Sequence, residues 1–508
     1  MTTFRDIILP PDDAHNRELL SHVHPSGYEN PDPEPVYNLL VVGLGTAGLV
    51  AAVGAASMGA KVAMVEDYLI GGDCLNFGCV PSKAIIRSSR VMGELRRAAE
   101  YGVEIHGQAE ADFQRVMERM RRLRARISRH DSEARLKELG VHLFLGRGRF
   151  RDRCSFELEG RTLRFKRAVV ATGARPARPP IPGLEAAGYL TNETVFSLVE
   201  RPNRWLIIGG GPIGCELAQA FRRLGSEVTI VQLDDQFLPR EDRDAADILA
   251  RTFEREGIRV LIGARIRNVT LEGQEKRAVV EGEDGIEAIA ADEILAAVGR
   301  VPNVEGLNLE AAHVAYDLKE GIQVNDFLQT TNRAVYAAGD VCFPYKFTHI
   351  ADATARIVIQ NALFLNSKKH TSLTIPWCTY TDPEVAHVGL YERDLKVRGI
   401  ACDTFVKEFK DVDRAILDGE ETGFVKLHVK KGKDRLLGAT VVSSHAGEMI
   451  GELTQAMVSG AGLKILNNVI HPYPTQSEAI RQAAAQYYVQ KLSPGLKRWL
   501  DRWFRWRR

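Results

Sequence analysis

The chain has 508 residues, 45% of them hydrophobic and 26% charged, with a formal net charge of +1 at pH 7. This length is too great for one hydrophobic core and predicts roughly two to four domains, while the balanced charge argues against a general attraction to nucleic acid. The seven cysteines are spread thinly from Cys74 to Cys402, which excludes the dense disulfide framework of a small secreted protein.

The first residues of the chain are predicted to form an extended or wrapping acidic arm. Residues 1–36 contain six prolines and seven acidic residues but only two basic ones, and such a composition buries little apolar surface. They do not begin with a basic stretch followed by an apolar run, so we expect no export signal and a cytoplasmic protein.

The first folded unit opens with a charge-free stretch, residues 38–60. It is long enough to cross a bilayer, but Gly43, Gly45 and Gly48 fall where a tight turn between a strand and a helix requires glycine. Such a turn lets the backbone approach a pyrophosphate at the helix N-terminus. We therefore predict a buried strand, turn and helix. Glu66, 23 residues after Gly43, is predicted to accept a hydrogen bond from a ribose 2′-hydroxyl, as in FAD.

Two cysteines five residues apart, Cys74 and Cys79, follow in a glycine-rich stretch. A structural zinc site needs four ligands, and no second closely spaced pair accompanies these two, so we predict no metal site. Pro81 suits the first turn of a helix, which would place Cys79 at a helix N-terminus, where its pKa is lowered. Lys83 lies on the same helix face and adds a cation. The pattern predicts a redox-active pair rather than a metal clip or a structural staple.

Two helical segments are predicted next, at about residues 84–100 and 110–138. The second is rich in arginine, a feature of some nucleic-acid-binding helices but more often of a solvated helix face. We predict a solvated face and no nucleic-acid partner.

A second strand–turn–helix unit begins at Arg204 and repeats the glycine spacing with Gly209, Gly211 and Gly214. One such pattern is weak evidence for a nucleotide site. Two of them in one chain with a cysteine pair are strong evidence for two dinucleotide-binding folds.

The second unit differs from the first at the ribose position. Gln232 stands where Glu66 stands in the first unit, 23 residues after the first glycine. The carboxylate that would repel a 2′-phosphate is therefore missing, yet Asp234 and Asp235 follow instead of an arginine. NADH and NADPH both remain open.

Taken together, these motifs resemble the class I pyridine nucleotide–disulfide oxidoreductases over about residues 37–490. This family includes dihydrolipoamide dehydrogenase, glutathione reductase and mercuric reductase. The resemblance implies that Cys79 faces the flavin as a charge-transfer thiolate and that Cys74 exchanges with the substrate. It also implies that Lys83 pairs with Glu216 beside the isoalloxazine ring, and that the protein is a homodimer whose subunits complete each other's active sites.

Further cofactor-binding residues are implied by the same resemblance. The stretches VVATGARP and AVGRVPN match the two crossover loops, YAAGDV matches the loop at the flavin ribityl chain, and FTH follows nearby. The implied residues in these and the cysteine-containing stretch are Gly72, Thr172, Gly173, Gly299, Asp340 and His349.

The predicted fold is α/β, with two Rossmann-like dinucleotide-binding domains, for FAD and for NAD(P)H, and an α+β C-terminal dimerisation domain. The implied boundaries are 37–190 with 305–368 for the FAD domain, 191–304 for the NAD(P)H domain and 369–490 for the interface domain.

Residues 471–484 bear on the choice of electron acceptor. Disulfide-acting relatives carry a His–Glu acid–base pair there, and this sequence has Tyr473 and Glu478 at the matching positions. A tyrosine, with a pKa near 10, is a poor proton shuttle at neutral pH. Mercuric reductases have the same Pro-Tyr, Thr and Glu spacing as Pro472, Tyr473, Thr475 and Glu478.

Two features typical of mercuric reductases are not found in the sequence. A cysteine pair near the C-terminus is missing, because no cysteine follows Cys402, and no cysteine-containing domain precedes Cys74. Cys342 and Cys378 are spare thiols and are predicted to be inert and packed. We nevertheless predict a mercuric reductase-like flavoenzyme that passes electrons from NAD(P)H through FAD and the Cys74–Cys79 pair to a metal ion or a small thiol or disulfide acceptor. The alternatives are a dihydrolipoamide dehydrogenase-like or other disulfide reductase, and a flavin-bearing redox sensor or complex subunit without turnover.

The last stretch, residues 491–508, is predicted to be a basic, aromatic, amphipathic tail. Its apolar face comprises Leu496, Trp499, Leu500, Trp503, Phe504 and Trp506, and its basic residues include Lys497, Arg498, Arg502, Arg505 and Arg508. Residues 494–508 could lie at a membrane surface as a peripheral contact. The alternative is docking on residues 1–36 or on a partner protein.

Overall fold

The structure is a computed structural model that describes residues 7–107 and 109–508. Its described residues divide into two compact units. The first unit comprises the chain up to Asp235 together with Glu256–Leu373, and the second comprises Gln236–Arg255 together with Thr374–Arg508. The domain boundaries drawn from the sequence stay a prediction.

Helices and strands alternate along most of the chain. The helices are α1 (Ala14–Val23), α2 (Thr46–Ser57), α3 (Gly72–Asn76), α4 (Cys79–Arg96), α5 (Phe113–Ser128), α6 (Glu133–Glu138), α7 (Leu184–Ala187), α8 (Pro212–Arg223), α9 (Arg243–Arg255), α10 (Thr348–Leu363), α11 (Glu392–Val397), α12 (Asp413–Asp418), α13 (Ala446–Ser459), α14 (Leu463–Asn468), α15 (Glu478–Lys491) and α16 (Pro494–Trp506). The strands are β1 (Tyr37–Val42), β2 (Val62–Glu66), β3 (His142–Leu145), β4 (Gly148–Asp152), β5 (Ser155–Leu158), β6 (Arg161–Val170), β7 (Ala174–Pro176), β8 (Arg204–Ile208), β9 (Glu227–Val231), β10 (Arg259–Leu261), β11 (Arg265–Glu272), β12 (Glu275–Gly282), β13 (Gly285–Ala291), β14 (Glu293–Ala296), β15 (Arg300–Pro302), β16 (Tyr316–Asp317), β17 (Gly321–Ile322), β18 (Val335–Ala337), β19 (Pro376–Thr379), β20 (Glu384–Gly389), β21 (Cys402–Glu408), β22 (Phe424–Lys430) and β23 (Leu436–Ser443).

The largest sheet of the first unit carries the first glycine turn. Its strand order is β3-β2-β1-β6-β5-β4, with β18 beside β6. Strand β1 pairs in parallel with both β2 and β6, so its carboxyl end lies at a point where the strand order reverses. Open α/β sheets bind ligands at such points.

The charge-free stretch at residues 38–60 forms β1, a turn and α2, as predicted. Leu39, Leu40 and Val41 are fully buried, because a central parallel strand is covered on both faces and therefore needs no polar residue. In residues 7–107 and 109–508, no helix is long and apolar enough to cross a membrane.

A second parallel sheet in the same unit has the order β10-β9-β8-β14. Here β8 pairs in parallel with β9 and β14, which repeats the arrangement around β1 and confirms the second strand–turn–helix unit predicted from Arg204. An antiparallel sheet, β11-β12-β13, follows. Leu206, Ile266, Val280 and Ile294 belong to one buried cluster that joins the two sheets.

The second unit contains an antiparallel sheet with the order β19-β20-β23-β22-β21. Helices α13 and α15 pack on it, and Leu427, Val441, Leu453 and Ile480 are fully buried members of its core. This sheet and its helices confirm the α+β character predicted for the C-terminal domain.

The extended arm predicted for residues 1–36 contains a packed helix, α1. Asp13 caps it by accepting a hydrogen bond from the Asn16 N–H at 2.8 Å, and Leu19 and Val23 are fully buried where α1 packs on α5. The composition gave no indication of this helix, because its stability comes from a capping residue, buried apolar side chains and a neighbouring helix to pack on. A packed helix is compatible with a wrapping arm but not with a wholly extended one.

The arginine-rich segment is likewise not a wholly solvated face. It forms α5 and α6 instead of one long helix, and α4 begins five residues earlier than predicted. Arg121 and Arg124 are only 7% and 3% exposed. Arg121 donates to Asp13 at 2.5 Å, and Arg124 donates to the Asn16 side chain and to the Asn76 carbonyl, both at 2.8 Å. These buried guanidinium groups tie α1 to α5 and to α3.

Candidate active site

The first glycine turn follows β1 and is shaped by close backbone contacts. Gly43 has φ +95°, and a Cβ there would lie 2.6 Å from the Ala171 carbonyl oxygen. A Cβ on Gly48 would lie 1.9 Å from the Gly43 carbonyl oxygen, and one on Gly72 would lie 2.5 Å from the Cα of Gly45. Helix α2 starts directly after a glycine, so the N–H groups of its first turn can receive a phosphate.

Glu66 ends β2 beside this turn and is 8% exposed. Its Oε2 accepts the Leu44 N–H at 2.6 Å, and its Oε1 accepts the Tyr68 N–H at 2.9 Å. Burial raises the pKa of this carboxyl to about 7. A buried acceptor fixed at the end of the second strand is what a ribose hydroxyl requires, so the residues of this turn fit FAD.

The two cysteines lie on consecutive short elements. Cys74 lies in α3, and Cys79 is the first residue of α4. Pro81 occupies the first turn of α4, as predicted, where its missing N–H costs nothing. Both cysteines are free thiols, Cys74 half-buried and Cys79 exposed.

The pKa values of the two thiols are shifted in opposite directions. The hydrogen bond between them is the main cause, and it lowers the pKa of Cys79 to about 6 and raises that of Cys74. The Lys83 ammonium and the Thr348 hydroxyl lower the pKa of Cys79 further, against the effect of burial. Cys79 is therefore the thiolate of the reduced pair at neutral pH, and Cys74 keeps its proton.

Lys83 and Glu216 form the ion pair that the family resemblance implies. Lys83 Nζ donates to Glu216 Oε2 at 2.7 Å. Glu216 is 6% exposed and lies on α8, which packs on α4. The pair thus joins the helix that carries Cys79 to the helix that follows the second glycine turn.

Thr348 is a site residue that the motifs did not reveal. Its Oγ1 lies 3.4 Å from Cys79 Sγ, and it is the first residue of α10. His349, which was singled out instead, is exposed and stacks on Phe347 with ring centroids 5.4 Å apart. The only sequence signal for Thr348 is its position inside the FTH motif.

The two crossover loops are joined by reciprocal hydrogen bonds. Thr172 Oγ1 donates to the Asn303 carbonyl at 2.7 Å, and Asn303 Nδ2 donates to the Thr172 carbonyl at 2.9 Å. Gly173 and Gly299 have φ +67° and +107°, a conformation that glycine adopts without steric cost. Both predicted glycines therefore lie where the chain bends.

Asp340 belongs to a charged group that the motifs indicated only in part. Arg300 lies 3.2 Å from an oxygen of Asp73 and 3.8 Å from one of Asp340, and Lys346 donates to the Asp340 carbonyl at 2.9 Å. Burial raises the pKa of Asp340, and the Arg300 charge opposes this effect. Arg300 was missed because no spacing rule links it to the residue preceding Cys74.

The second glycine turn repeats the geometry of the first. Gly209 has φ +105°, and its Cβ would lie 2.6 Å from the Ala297 carbonyl oxygen. A Cβ on Gly214 would lie 2.1 Å from the Gly209 carbonyl oxygen, whereas around Gly211 the described residues leave open space within 4 Å. These contacts fit a second dinucleotide.

Gln232 directly follows β9 and is 5% exposed. Its Oε1 accepts the Gly210 N–H at 2.6 Å, the same role that Glu66 plays toward Leu44. Its Nε2 donates to Asp234 Oδ2 at 2.7 Å. Gln232 therefore completes the turn and also holds the carboxylate of Asp234.

Tyr473 and Glu478 lie in the second unit and are not bonded to each other there. Tyr473 is 72% exposed, and its hydroxyl donates to Asp413 Oδ2 at 2.9 Å. This hydrogen bond raises the pKa of Tyr473. Glu478 begins α15 and accepts a hydrogen bond from Arg481 at 2.5 Å.

An imidazole–carboxylate pair does occur in this segment, but at a different position. His471 Nε2 lies 3.0 Å from Glu452 Oε2, and the His471 side chain is only 7% exposed. No sequence motif indicates this pair, because its members are 19 residues apart.

The spare thiols Cys342 and Cys378 are half-buried. Each donates to a nearby backbone carbonyl at 3.6 Å, and burial raises the pKa of Cys342 to about 12. Within residues 7–107 and 109–508, no group of three or more His, Cys, Asp or Glu side chains could hold a metal ion.

Comparisons with known proteins agree with this site. Residues 37–356 match the family model for pyridine nucleotide-disulphide oxidoreductase, and residues 375–484 match the dimerisation domain of that family. The mercuric reductase of Staphylococcus aureus is 35% identical over 459 residues, which cover 90% of this chain and 84% of that protein. The dihydrolipoyl dehydrogenase of Thermus scotoductus is 34% identical over 464 residues, which cover 90% of this chain and 98% of that protein.

This chain is similar to a solved structure along most of its length. The Cu(II) complex of the HOCl-induced flavoprotein disulfide reductase RclA from Escherichia coli has a TM-score of 0.79 and 26% identity, covering 89% of this chain and 100% of that chain. The predicted α/β fold is thereby confirmed. Members of the matched family depend on FAD and use NAD(P)H, as the two glycine turns predict. This chain belongs to the class I pyridine nucleotide–disulfide oxidoreductase family.

Proposed function

We propose that this flavoprotein passes two electrons from NAD(P)H through the Cys74–Cys79 pair to a soft metal ion bound by thiolates, with Hg²⁺ as the reference case. The observation that carries the proposal is Tyr473 at the position of the acid–base histidine of disulfide-acting relatives. A disulfide acceptor is the second candidate, favoured by the similarity to dihydrolipoyl dehydrogenase.

The cysteine pair supplies the chemistry at the acceptor. Bound FAD supplies the pair with two electrons taken as hydride from NAD(P)H. In the reduced pair Cys79 holds the thiolate and Cys74 the proton. Cys74 then exchanges ligands with an incoming Hg(SR)₂: its S–H bond breaks, an S–Hg bond forms, and the displaced thiolate takes the proton. The overall reaction converts NAD(P)H and Hg(SR)₂ to NAD(P)⁺, a proton, Hg⁰ and two thiolates, which balances atoms, charge and electrons.

Tyr473 favours the metal over the disulfide. Reduction of a disulfide requires a proton to reach the leaving sulfur, and a positioned acid–base group contributes about 10²–10⁴-fold to such a step. Asp413 raises the pKa of Tyr473, so its hydroxyl stays protonated and exchanges protons poorly at neutral pH. In ligand exchange on a soft metal, the thiolate that leaves the metal takes the proton of Cys74 directly, so no separate acid–base residue is required.

The buried pair His471–Glu452 does not replace the missing dyad in this proposal. With its side chain 7% exposed, His471 has little access to a substrate sulfur. We assign it a structural role.

We further propose that the protein acts as a homodimer. Residues 375–484 match the family's dimerisation domain, and the exposed Tyr473 lies within this range. In the proposed dimer, Tyr473 and Glu478 of one subunit complete the site that carries Cys74 and Cys79 of the other.

A redox sensor or complex subunit without turnover is the candidate from another class. The Thr348 hydroxyl 3.4 Å from Cys79 Sγ and the Lys83 charge that lowers the pKa of Cys79 argue against a docking subunit, which needs no acidified thiol. They do not argue against a redox sensor. Steady-state oxidation of NAD(P)H with an added acceptor separates the two.

The substitution Tyr473→His tests the proposed function. It places an imidazole five residues before Glu478, and we expect the reduction of lipoamide by NADH to rise tenfold or more, within the range of a gained acid–base group. Flavin reduction by NADH alone should stay nearly unchanged. Tyr488→His, at another partly exposed tyrosine of the second unit, is the matched control. Unchanged lipoamide activity in Tyr473→His would count against the role given to Tyr473.

A further inference from the structure

The amphipathic tail contains a regular helix, α16, whose side chains are all at least partly exposed in the described structure. The helix has a clear start, because the Ser493 hydroxyl accepts the Leu496 N–H at 3.2 Å and Pro494 occupies its first turn. Ser and Pro at these positions are typical of a helix N-terminus. The helical wheel drawn from the sequence thus corresponds to a real helix.

One face of α16 is aromatic and accessible. The rings of Trp499 and Trp503 stack at 5.8 Å, and those of Trp503 and Trp506 lie 5.3 Å apart. Trp499, Phe504 and Trp506 are 56%, 58% and 76% exposed. Three of the chain's five tryptophans lie on this one short exposed helix. An exposed apolar patch of this kind is typical of an interaction site rather than of a surface that faces only water.

The rest of the helix and its last turn are strongly basic. Residues 494–508 contain six basic side chains and one acidic one, Asp501. The Arg507 guanidinium lies 5.3 Å from the centre of the Trp503 ring, so positive charge also borders the aromatic face. Tryptophan at an apolar boundary surrounded by Lys and Arg is typical of helices that lie in the interface of an anionic membrane.

The acidic arm, residues 1–36, is the less suitable partner, since four of its acidic residues are already paired with basic side chains. Asp13 pairs with Arg121 at 2.5 Å, Glu18 with Arg129 at 2.5 Å and Glu34 with Lys61 at 3.0 Å. Asp12 pairs with Arg17 on the arm itself at 2.9 Å. Binding α16 there would require these pairs to be broken.

We propose that α16 binds the surface of an anionic lipid membrane, with its tryptophans in the headgroup region and its basic side chains at the lipid phosphates. Binding of this kind is reversible, because six basic groups and one short apolar face give only moderate affinity. The oxidoreductase would then be recruited to the membrane without a spanning segment.

Co-sedimentation of the FAD-loaded full-length protein with vesicles tests this proposal. We expect about tenfold more protein to sediment with phosphatidylcholine vesicles containing phosphatidylserine than with phosphatidylcholine alone. The tryptophan emission should shift to shorter wavelength, and added salt should release the protein. Full-length protein that stays in solution with both vesicle types would overturn the proposal.

Variants then assign the binding to α16. Deletion of 494–508 should abolish sedimentation, and so should the triple change Trp499→Ala, Trp503→Ala and Trp506→Ala. The matched control removes three positive charges from an exposed turn of the same unit by Lys430→Gln, Lys431→Gln and Lys433→Gln, and it should sediment like the wild type. Undiminished sedimentation of the deletion variant, or equal loss in the control, would contradict a role for α16.

A second, independent observation concerns the choice of coenzyme and rests on the proposed function. Asp234 is exposed, lies three residues after the last residue of β9, and is held by Gln232 Nε2 at 2.7 Å. A carboxylate at this end of the strand accepts the 2′-hydroxyl of NADH and repels the 2′-phosphate of NADPH. We infer that Asp234, in place of the usual residue at 232, makes the enzyme prefer NADH.

Binding of NAD⁺ and NADP⁺ to the oxidised holoenzyme tests this inference without any acceptor. We expect NAD⁺ to bind about tenfold more tightly, and Asp234→Asn to remove most of the difference. Glu227→Gln, the same loss of charge at the other end of β9, should leave the ratio unchanged. Equal or tighter binding of NADP⁺ by the wild type overturns the inference. Selective binding in a protein that turns over no acceptor would instead count against the proposed function alone.

Discussion

The acidity of Cys79 depends on its close neighbours. The hydrogen bond from Cys74 is the largest contribution, and the Lys83 ammonium and the Thr348 hydroxyl add to it. The sequence could predict the helix start at Cys79 and the position of Lys83, because Pro81 and a four-residue spacing are local signals. It could not predict Thr348 or Arg300, which reach the site from elements far away in the chain.

Alkylation of the reduced protein should therefore depend on pH in a defined way. The pKa of Cys79 is lowered, so its reaction with iodoacetamide should rise with pH to a half-maximal rate at about pH 6 and then level off. Lys83→Met removes a cation that stabilises the thiolate, and the midpoint should move to higher pH. Arg87→Met, one helical turn further along α4, is the control. A midpoint that Lys83→Met leaves in place would show that Lys83 does not act on Cys79.

At the scale of elements, the helix α1 supports the segment that carries Cys74. Arg124 donates at once to Asn16 on α1 and to the carbonyl of Asn76 in α3. The strands, glycine turns and helices that position the nucleotide sites were predictable from local patterns. The packing of α1 could not be predicted in this way. It depends on two buried guanidinium groups, whereas the composition of the segment alone suggests that its arginines are solvated.

Truncation of Leu19 tests whether α1 is a structural part of the first unit. Leu19 is fully buried, so Leu19→Ala should destabilise the first unit by about 2–5 kcal/mol, measured as a lower denaturant midpoint. Arg17→Ala, with a side chain 67% exposed, should change stability by less than about 0.5 kcal/mol. If the denaturant midpoint of Leu19→Ala equals that of the wild type, α1 is only loosely attached to the first unit.

At the scale of the whole molecule, the proposed dimer makes each active site depend on both chains. Its prediction is complementation between two impaired variants. Cys74→Ser lacks the exchanging thiol, and Tyr473→Phe lacks the hydroxyl that we propose assists thiolate binding of the soft metal. A mixed dimer of these has one site in which both residues are intact. Random reassociation should therefore recover about a quarter of the wild-type activity toward thiol-bound Hg²⁺. If Tyr473 served the cysteines of its own chain, mixing would recover nothing.

The family, the fold and the cofactors could be predicted from the sequence because glycine turns and the cysteine pair are short motifs with strict geometric demands. The acceptor could not, since it is set by the surroundings of Tyr473. The hydrogen bond from Tyr473 to Asp413 and the burial of His471 bear on the choice of acceptor. Neither follows from the spacing of residues in the sequence.

The ratio of two kcat/KM values for the wild-type enzyme tests the central claim most directly. One is for thiol-bound Hg²⁺ and the other for oxidised lipoamide, both with NADH as the electron donor at neutral pH. A site without an acid–base histidine should favour the metal complex by about tenfold or more, given the ~10²–10⁴-fold contribution of such a group to disulfide exchange. A ratio below one, with Tyr473 in place, would contradict the claim and identify the protein as a disulfide reductase.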